Sequence, residues 1–253
     1  MDPLHPLPCV CRMYLSEYTG RGVRVAIVDS GVHAGHPHVG AVEQGIAIRD
    51  DGSLDADFVD RLGHGTAVAA AIRERAPDAS IVAVKVFWQM LSTDVSSLVR
   101  GIDESCARGA TVINLSLGTS NAWHRPLLEA AVGRANACGA VVVAAIEDNG
   151  VRWLPGSLEG VVPVQLDWNC PREMYRVVNG DGRRVVAAAG YPRDIPNVPR
   201  ERNLKGTSFA VANATGFVAR ALQALAASPG AGPAHVLATL EAGLTGQFSI
   251  RTS

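Results

Sequence analysis

A chain of 253 residues, 47% of them hydrophobic, can bury a large core, and strand and helix patterns that alternate from end to end point to one domain. A formal charge of −1 without any basic cluster implies neither nucleic acid nor an anionic membrane as a partner. The five cysteines, at positions 9, 11, 106, 138 and 170, are odd in number and lack paired metal-ligand spacing, which predicts free or buried thiols. Together with the absence of a basic-then-apolar leader, they predict a cytoplasmic setting.

In chain order, residues 1–20 read as an irregular arm with three prolines, closed by Thr19-Gly20-Arg21-Gly22. Residues 23–28 are short, β-branched and almost continuously apolar, as in a strand buried inside a parallel sheet. That strand ends at Asp29-Ser30-Gly31, and the carboxyl ends of such strands are where open α/β sheets place ligands. Residues 40–62 are polar and rich in Asp and Gly, a surface excursion with one short strand near 45–48. Gly63-His64-Gly65-Thr66 then opens a helix that Pro77 stops.

Strands are predicted at 80–86, 111–118, 140–145 and 161–165, with helices at 94–108 and 124–138 between them. Strands separated by helical stretches of this length make right-handed βαβ crossovers. The fold class is therefore α/β, a three-layer sandwich with a mostly parallel sheet and helices on both faces. Residues 177–178 and 184–188 form a hairpin through Asn179-Gly180-Asp181-Gly182. A helix over 207–227 is apolar on nearly all sides and so central. Asn213, Thr215, Arg220 and Gln223 deprive it of membrane-span character. A last amphipathic helix covers 233–242.

Gly206-Thr207-Ser208 places a serine at the start of the central helix. Backbone N–H groups there lack intrahelical partners and carry partial positive charge, so the serine sits beside ready-made donors for an oxyanion. Taken singly, a serine in this position is ordinarily a helix cap, His64 a surface residue and Asp29 a turn opener. A serine hydroxyl becomes a useful nucleophile when an imidazole takes its proton and a carboxylate fixes that imidazole's tautomer.

The segments Val25-Ala26-Ile27-Val28-Asp29-Ser30-Gly31-Val32, Gly63-His64-Gly65-Thr66-Ala67-Val68-Ala69 and Gly206-Thr207-Ser208-Phe209-Ala210 resemble, in this order, the motifs of the subtilisin-like serine proteases. Ala76-Pro77-Asp78 and Val112-Ile113-Asn114-Leu115-Ser116-Leu117-Gly118 match as well, and the resemblance covers residues 18–227. It implies Asp29, His64 and Ser208 as a catalytic triad, peptide or protein substrates, and no cofactor. It also implies that Ser116, Leu117 and Gly118 form an extended edge pairing with the substrate backbone. Ala145, with Leu154-Pro155-Gly156, would line the first specificity pocket.

The chain departs from the family at several positions. Where an Asn side chain usually completes the oxyanion hole, the sequence reads Ala144-Ala145-Ile146-Glu147-Asp148-Asn149-Gly150. Gap-free alignment puts Asp148 there, favoured over Asn149, which a one-residue shift of the turn would supply. An ionised Asp148 would repel the oxyanion and a protonated one could donate to it. Glu147 replaces a glycine, which would narrow the pocket or make it acidic. Val211-Ala212-Asn213 stands where Ser-Pro-His is common, and Ala67 replaces a frequent second His. His38 occupies the position of a calcium-ligating Asp, and no structural calcium or other metal is expected. Two functions follow: a serine endopeptidase, with an intracellular processing role, or an impaired pseudoprotease that binds extended peptides.

Overall fold

In the computed structural model, which describes residues 15–180, 182–226 and 230–245, the chain builds a nine-stranded sheet. Cys9, Cys11 and all but the end of the N-terminal arm lie outside the described residues. In chain order the elements are β1 (Arg24–Asp29), β2 (Gln44–Ile48), β3 (Leu54–Asp55), α1 (His64–Arg75), β4 (Ser80–Lys85), α2 (Val95–Ala107), β5 (Val112–Leu115) and α3 (Arg125–Ala137). There follow β6 (Val141–Ala145), β7 (Glu147–Asp148), β8 (Val151–Arg152), β9 (Val161–Leu166), β10 (Tyr175–Gly180), β11 (Arg183–Ala188), α4 (Thr207–Ala224) and α5 (Pro233–Thr245).

The sheet runs β10-β11-β9-β6-β5-β1-β4-β2-β3, and every pairing is parallel except those of the two edge strands β10 and β3. Both faces are covered, which is why the inner strands carry almost unbroken apolar runs. Val25 and Ile27 pack in the layer with α1, α4 and α5, while Ala26 and Val28 pack with α2 and α3. β1 lies between β4 and β5, so the chain places β2, β3 and β4 on one side of β1 and then crosses to start the other side with β5. The crevice at the carboxyl ends of β1 and β5 is thus a switch point, the usual ligand site of an open α/β sheet.

The observed elements differ from the sequence reading in three places. The strand expected over 111–118 stops at Leu115, because Thr119 exchanges backbone hydrogen bonds with Leu154 (2.9 and 2.8 Å) and draws the chain off the sheet. β3 is a two-residue antiparallel edge on β2, too short to leave a periodic signal. Residues 147–152 form a hairpin, β7–β8, whose Asn149-Gly150 tip has φ of 50° and 76°, the left-handed pair that a type I′ turn requires. Among the described residues, no helix is long and apolar enough to cross a membrane.

Candidate active site

Asp29 is the last residue of β1 and is fully buried. Its carboxylate accepts the Ser30 N–H at 2.7 Å and faces His64 Nδ1, with Oδ1 at 2.8 Å and Oδ2 at 3.0 Å. With its proton on Nδ1, His64 donates to Asp29 and keeps Nε2 as an acceptor. The first turn of α1 can approach β1 this closely only because position 65 is glycine. A Cβ there would sit 2.1 Å from the Gly31 carbonyl oxygen and 3.2 Å from Asp29 Oδ1.

A second carboxylate, Asp60, organises the same turn. Oδ1 accepts the Ser30 hydroxyl (2.9 Å) and the N–H groups of Leu62 (2.9 Å) and Gly63 (2.8 Å). Oδ2 accepts the N–H and hydroxyl of Thr66, at 2.8 and 2.6 Å. Gly63, the residue capping α1, offers no side chain, so Asp60 satisfies two of the free donors of the helix start, the N–H groups of Gly63 and Thr66. The Ser30 hydroxyl in turn accepts the Gly65 N–H at 2.9 Å, joining the residue after Asp29 to the residue after His64. The sequence reading missed Asp60. Its only signal is position, four residues before His64, within a stretch that also carries Asp50, Asp51, Asp55 and Asp57.

Ser208 is the second residue of α4, whose first turn follows Gly206 with φ 142°, a left-handed value that favours glycine. Neither Thr207 nor Ser208 caps the helix, which leaves both hydroxyls for other partners. Ser208 Oγ donates to the Ser116 carbonyl at 3.2 Å, and Ser116 Oγ donates to the Ser208 carbonyl at 3.3 Å. His64 and Ser208 line one cleft of about 590 Å³ together with Ser116, Leu117 and Gly118. The His64 ring also packs on Phe209, the residue after Ser208, with centroids 5.4 Å apart.

A smaller adjoining cavity of about 110 Å³ is lined by Ser116, Leu117, Gly118, Ala145, Asp148 and Ser208 among others. Asp148 Oδ1 accepts the Thr207 hydroxyl at 2.6 Å. Asn149 lies at the exposed tip of the β7–β8 hairpin. Glu147 does not line the cavity, contrary to the sequence expectation. Side chains alternate along a strand, and Glu147 stands opposite Arg152 on β8. Trp153, which sequence reasoning did not single out, borders both spaces. Its ring comes within 3.3 Å of where a Cβ on Gly118 would lie. Leu154 stands behind this wall through its pairing with Thr119. Among the described residues, no group of His, Cys, Asp and Glu side chains has the arrangement of a metal site.

The family model for subtilases matches residues 20–173, and the chain belongs to the subtilase family. It is 34% identical over 141 residues to the minor extracellular protease Epr of Bacillus subtilis, covering 52% of this chain and 21% of that protein. With the thermostable alkaline protease of Halalkalibacterium halodurans it shares 30% over 212 residues, 79% of this chain and 56% of that protein. Subtilisin DY of Bacillus licheniformis is 28% identical over 230 residues, 85% and 81% of the two chains. The crystal structure of a cold adapted subtilisin-like serine proteinase superposes with a TM-score of 0.67 at 23% identity, covering 89% of this chain and 83% of that one. That likeness shows the fold, a mostly parallel sheet between helical layers.

Proposed function

We propose that the chain is a serine endopeptidase that hydrolyses peptide bonds through an acyl-enzyme on Ser208, with His64 as the base and Asp29 as its orienting carboxylate. The observation carrying this reading is the buried Asp29 carboxylate 2.8 Å from His64 Nδ1, in a cleft that His64 shares with Ser208. The Ser208 hydroxyl turns from the Ser116 carbonyl to His64 Nε2 as a substrate carbonyl enters, loses its proton there and attacks. The imidazolium, stabilised by Asp29, then protonates the leaving amine, and water repeats the sequence to release the acid. Loose nucleophile–base geometry before substrate binds is common in such sites.

The tetrahedral oxyanion receives the Ser208 N–H, an unpaired donor of the second position of α4. Asp148 is assigned as the side chain beside the oxyanion, with the Thr207 hydroxyl bonded to Oδ1; a carboxyl donates there only while it holds a proton. Asp148 is preferred to Asn149 because it lines the cavity beside Ser208, whereas Asn149 caps an exposed hairpin. The substrate backbone would run along Ser116, Leu117 and Gly118, with a small side chain before the cut entering the 110 Å³ cavity beside Ala145.

An active-site-directed phosphonate is expected to label Ser208 in folded protein and not the Ser208→Ala variant; unlabelled wild type overturns the reading. Asp148→Asn replaces a carboxyl that donates only when protonated by an amide that always donates. Turnover is expected to be kept or raised, by no more than the roughly 10²–10³-fold that one oxyanion donor supplies. A fall in turnover would remove Asp148 from this role. An intracellular setting is the narrower form of the proposal, supported by the free thiols of Cys106, Cys138 and Cys170. Under denaturing conditions, thiol alkylation of protein taken directly from cells should modify all three, and a disulfide joining any two counts against it.

A further inference from the structure

Beside the start of α1 lies a cavity of about 370 Å³ that shares no lining residue with the cleft holding His64 and Ser208. Its walls come from the segments that carry the triad: the loop after Asp29, the first two turns of α1 after His64, and the approach to Ser208 through Leu204. In the peptidase reading, the acyl half of a substrate fills the space beside Ser116, Leu117, Gly118 and Ala145. The leaving half must then run the other way from Ser208, past the imidazole that protonates its amine. The second cavity, lined by Gly63, Thr66 and Ala67 around His64 and by Leu204 before Ser208, is a space outside the first cleft that such a segment can enter, and Ala67 contributes only a methyl group to its wall.

The lining gathers three histidines and one arginine beside a single carboxylate, Asp60. His33, His36 and His38 gather on the loop after β1, with ring centroids 6.4 Å apart for the first pair and 5.2 Å for the second. Arg193 lines the same cavity, and among the described residues no carboxylate forms an ion pair with it. Asp60 in the wall, and Glu74 and Asp194 beyond it, are already committed, Asp194 to Arg172 and Arg200. Asp60 accepts five hydrogen bonds from Ser30, Leu62, Gly63 and Thr66, and Glu74 is paired with Arg75 and Arg172. Burial, together with the positive neighbours Arg193 and His36, holds His38 below its ordinary pKa despite the opposing charge of Glu74. Imidazole N–H groups and an unpaired guanidinium, with no free acceptor carboxylate, suit an anion of carboxylate size and shape.

We propose that this cavity is a leaving-side subsite that binds a carboxylate, anchored by Arg193 and the three histidines, so that substrates carrying one just after the scissile bond are preferred. The inference rests on the peptidase reading for its orientation. A carboxylate on that side comes from an Asp or Glu side chain or from the free C-terminus of the peptide, and the two sources are separable by experiment.

Binding is measured calorimetrically on the Ser208→Ala protein, which needs no turnover, with three short peptides of the leaving half. One carries Glu and an amidated C-terminus, one carries Gln and a free C-terminus, and one carries Gln and an amidated C-terminus. At least one of the first two should bind about tenfold or more tighter than the third, the effect of one charge-assisted hydrogen bond. Arg193→Gln should abolish that advantage and Arg193→Lys retain part of it, with unchanged Tm confirming that both variants fold. Equal binding of the three peptides, or an advantage that survives Arg193→Gln, overturns the proposal. In wild-type protein the same preference should read out in kcat/KM. If Ser208 resists the phosphonate while the carboxylate preference persists, the peptidase reading fails and the anion site stands.

Discussion

At the scale of single residues, the protonation of His64 controls the proposed chemistry. Burial by itself would lower the His64 pKa, but the hydrogen bond to Asp29 and the charges of Asp29 and Asp60 outweigh it, leaving the pKa above the ordinary 6.5. The base works only when neutral, so kcat/KM should fall as pH drops through a midpoint higher than that of a free imidazole. A pH profile with its acid limb below 6.5 would contradict this. Asp29→Asn removes the charge and favours the wrong tautomer, so turnover should drop by on the order of 10⁴ and the limb should move to lower pH. The residues of the proposed triad were legible because each carries a distinctive local frame. Asp60 was not, since nothing in its immediate neighbours separates it from the other aspartates of its loop, and only the fold turns its two oxygens toward five donors.

At the scale of elements, both site-bearing helices begin at glycines without side-chain caps, and other segments supply the missing acceptors or leave the donors free for use. For α1 that acceptor is Asp60. Burial opposes ionisation of its carboxyl, but the bonds from Thr66, Gly63 and Leu62 prevail and hold its pKa below the ordinary range. A depressed carboxyl pKa contributes stability that is present above the unfolded value of about 3.9 and is lost as pH falls through the folded value. Asp60→Asn should therefore flatten the acid limb of the Tm-against-pH curve, and a curve that keeps its wild-type acid limb would count against this role.

The polar residues of α4 show how context overrides composition. Thr215 and Asn213, which in sequence merely interrupt an apolar helix, are both fully buried. The Thr215 hydroxyl donates to Asn114 Oδ1 at 2.9 Å, Asn114 Nδ2 donates to Ser116 Oγ at 2.9 Å, and Ser116 contacts Ser208. Thr215→Val breaks the far end of this chain and leaves a buried acceptor unpaired. A loss of about 1–3 kcal/mol by urea unfolding is expected, together with reduced turnover, because Ser116 is no longer held. The β7–β8 hairpin escaped the sequence reading for the opposite reason. Its strands are two residues long and have no periodicity, although the Asn149-Gly150 pair carried the signal of its turn.

At the scale of the whole molecule, contacts between distant parts of the chain close the layers. Gln223, in the last turn of α4, accepts through Oε1 from the N–H groups of Thr19 (2.7 Å), Gly20 (2.7 Å) and Arg21 (3.1 Å). One side chain thus pins the segment entering β1 to the helix that carries Ser208. Gln223→Ala should destabilise the protein by about 1–3 kcal/mol, the cost of stranded donors, and hydrogen exchange should quicken at residues 19–21 first. Unaltered exchange there would show the contact to be dispensable. The Tyr175 hydroxyl makes a comparable tie, donating to the Leu240 carbonyl at 2.9 Å and joining β10 to α5.

The sequence by itself determined the layers and the chemical identities. Apolar runs of strand length separated by helical stretches leave a covered parallel sheet as the arrangement that buries both faces, and the glycines and small residues around Asp29, His64 and Ser208 mark those three. Tertiary structure decided how they meet. The order of β5, β1 and β4 creates the switch point at which Asp29, His64 and Ser208 converge, and alternation along β7 turns Asp148 toward Ser208 and Glu147 away. The loop after β1 carries its three histidines to the wall that Arg193 also lines. Local pattern reports which face of an element is apolar, whereas pairing, register and close approach depend on backbone from elsewhere in the chain, which no window of sequence contains.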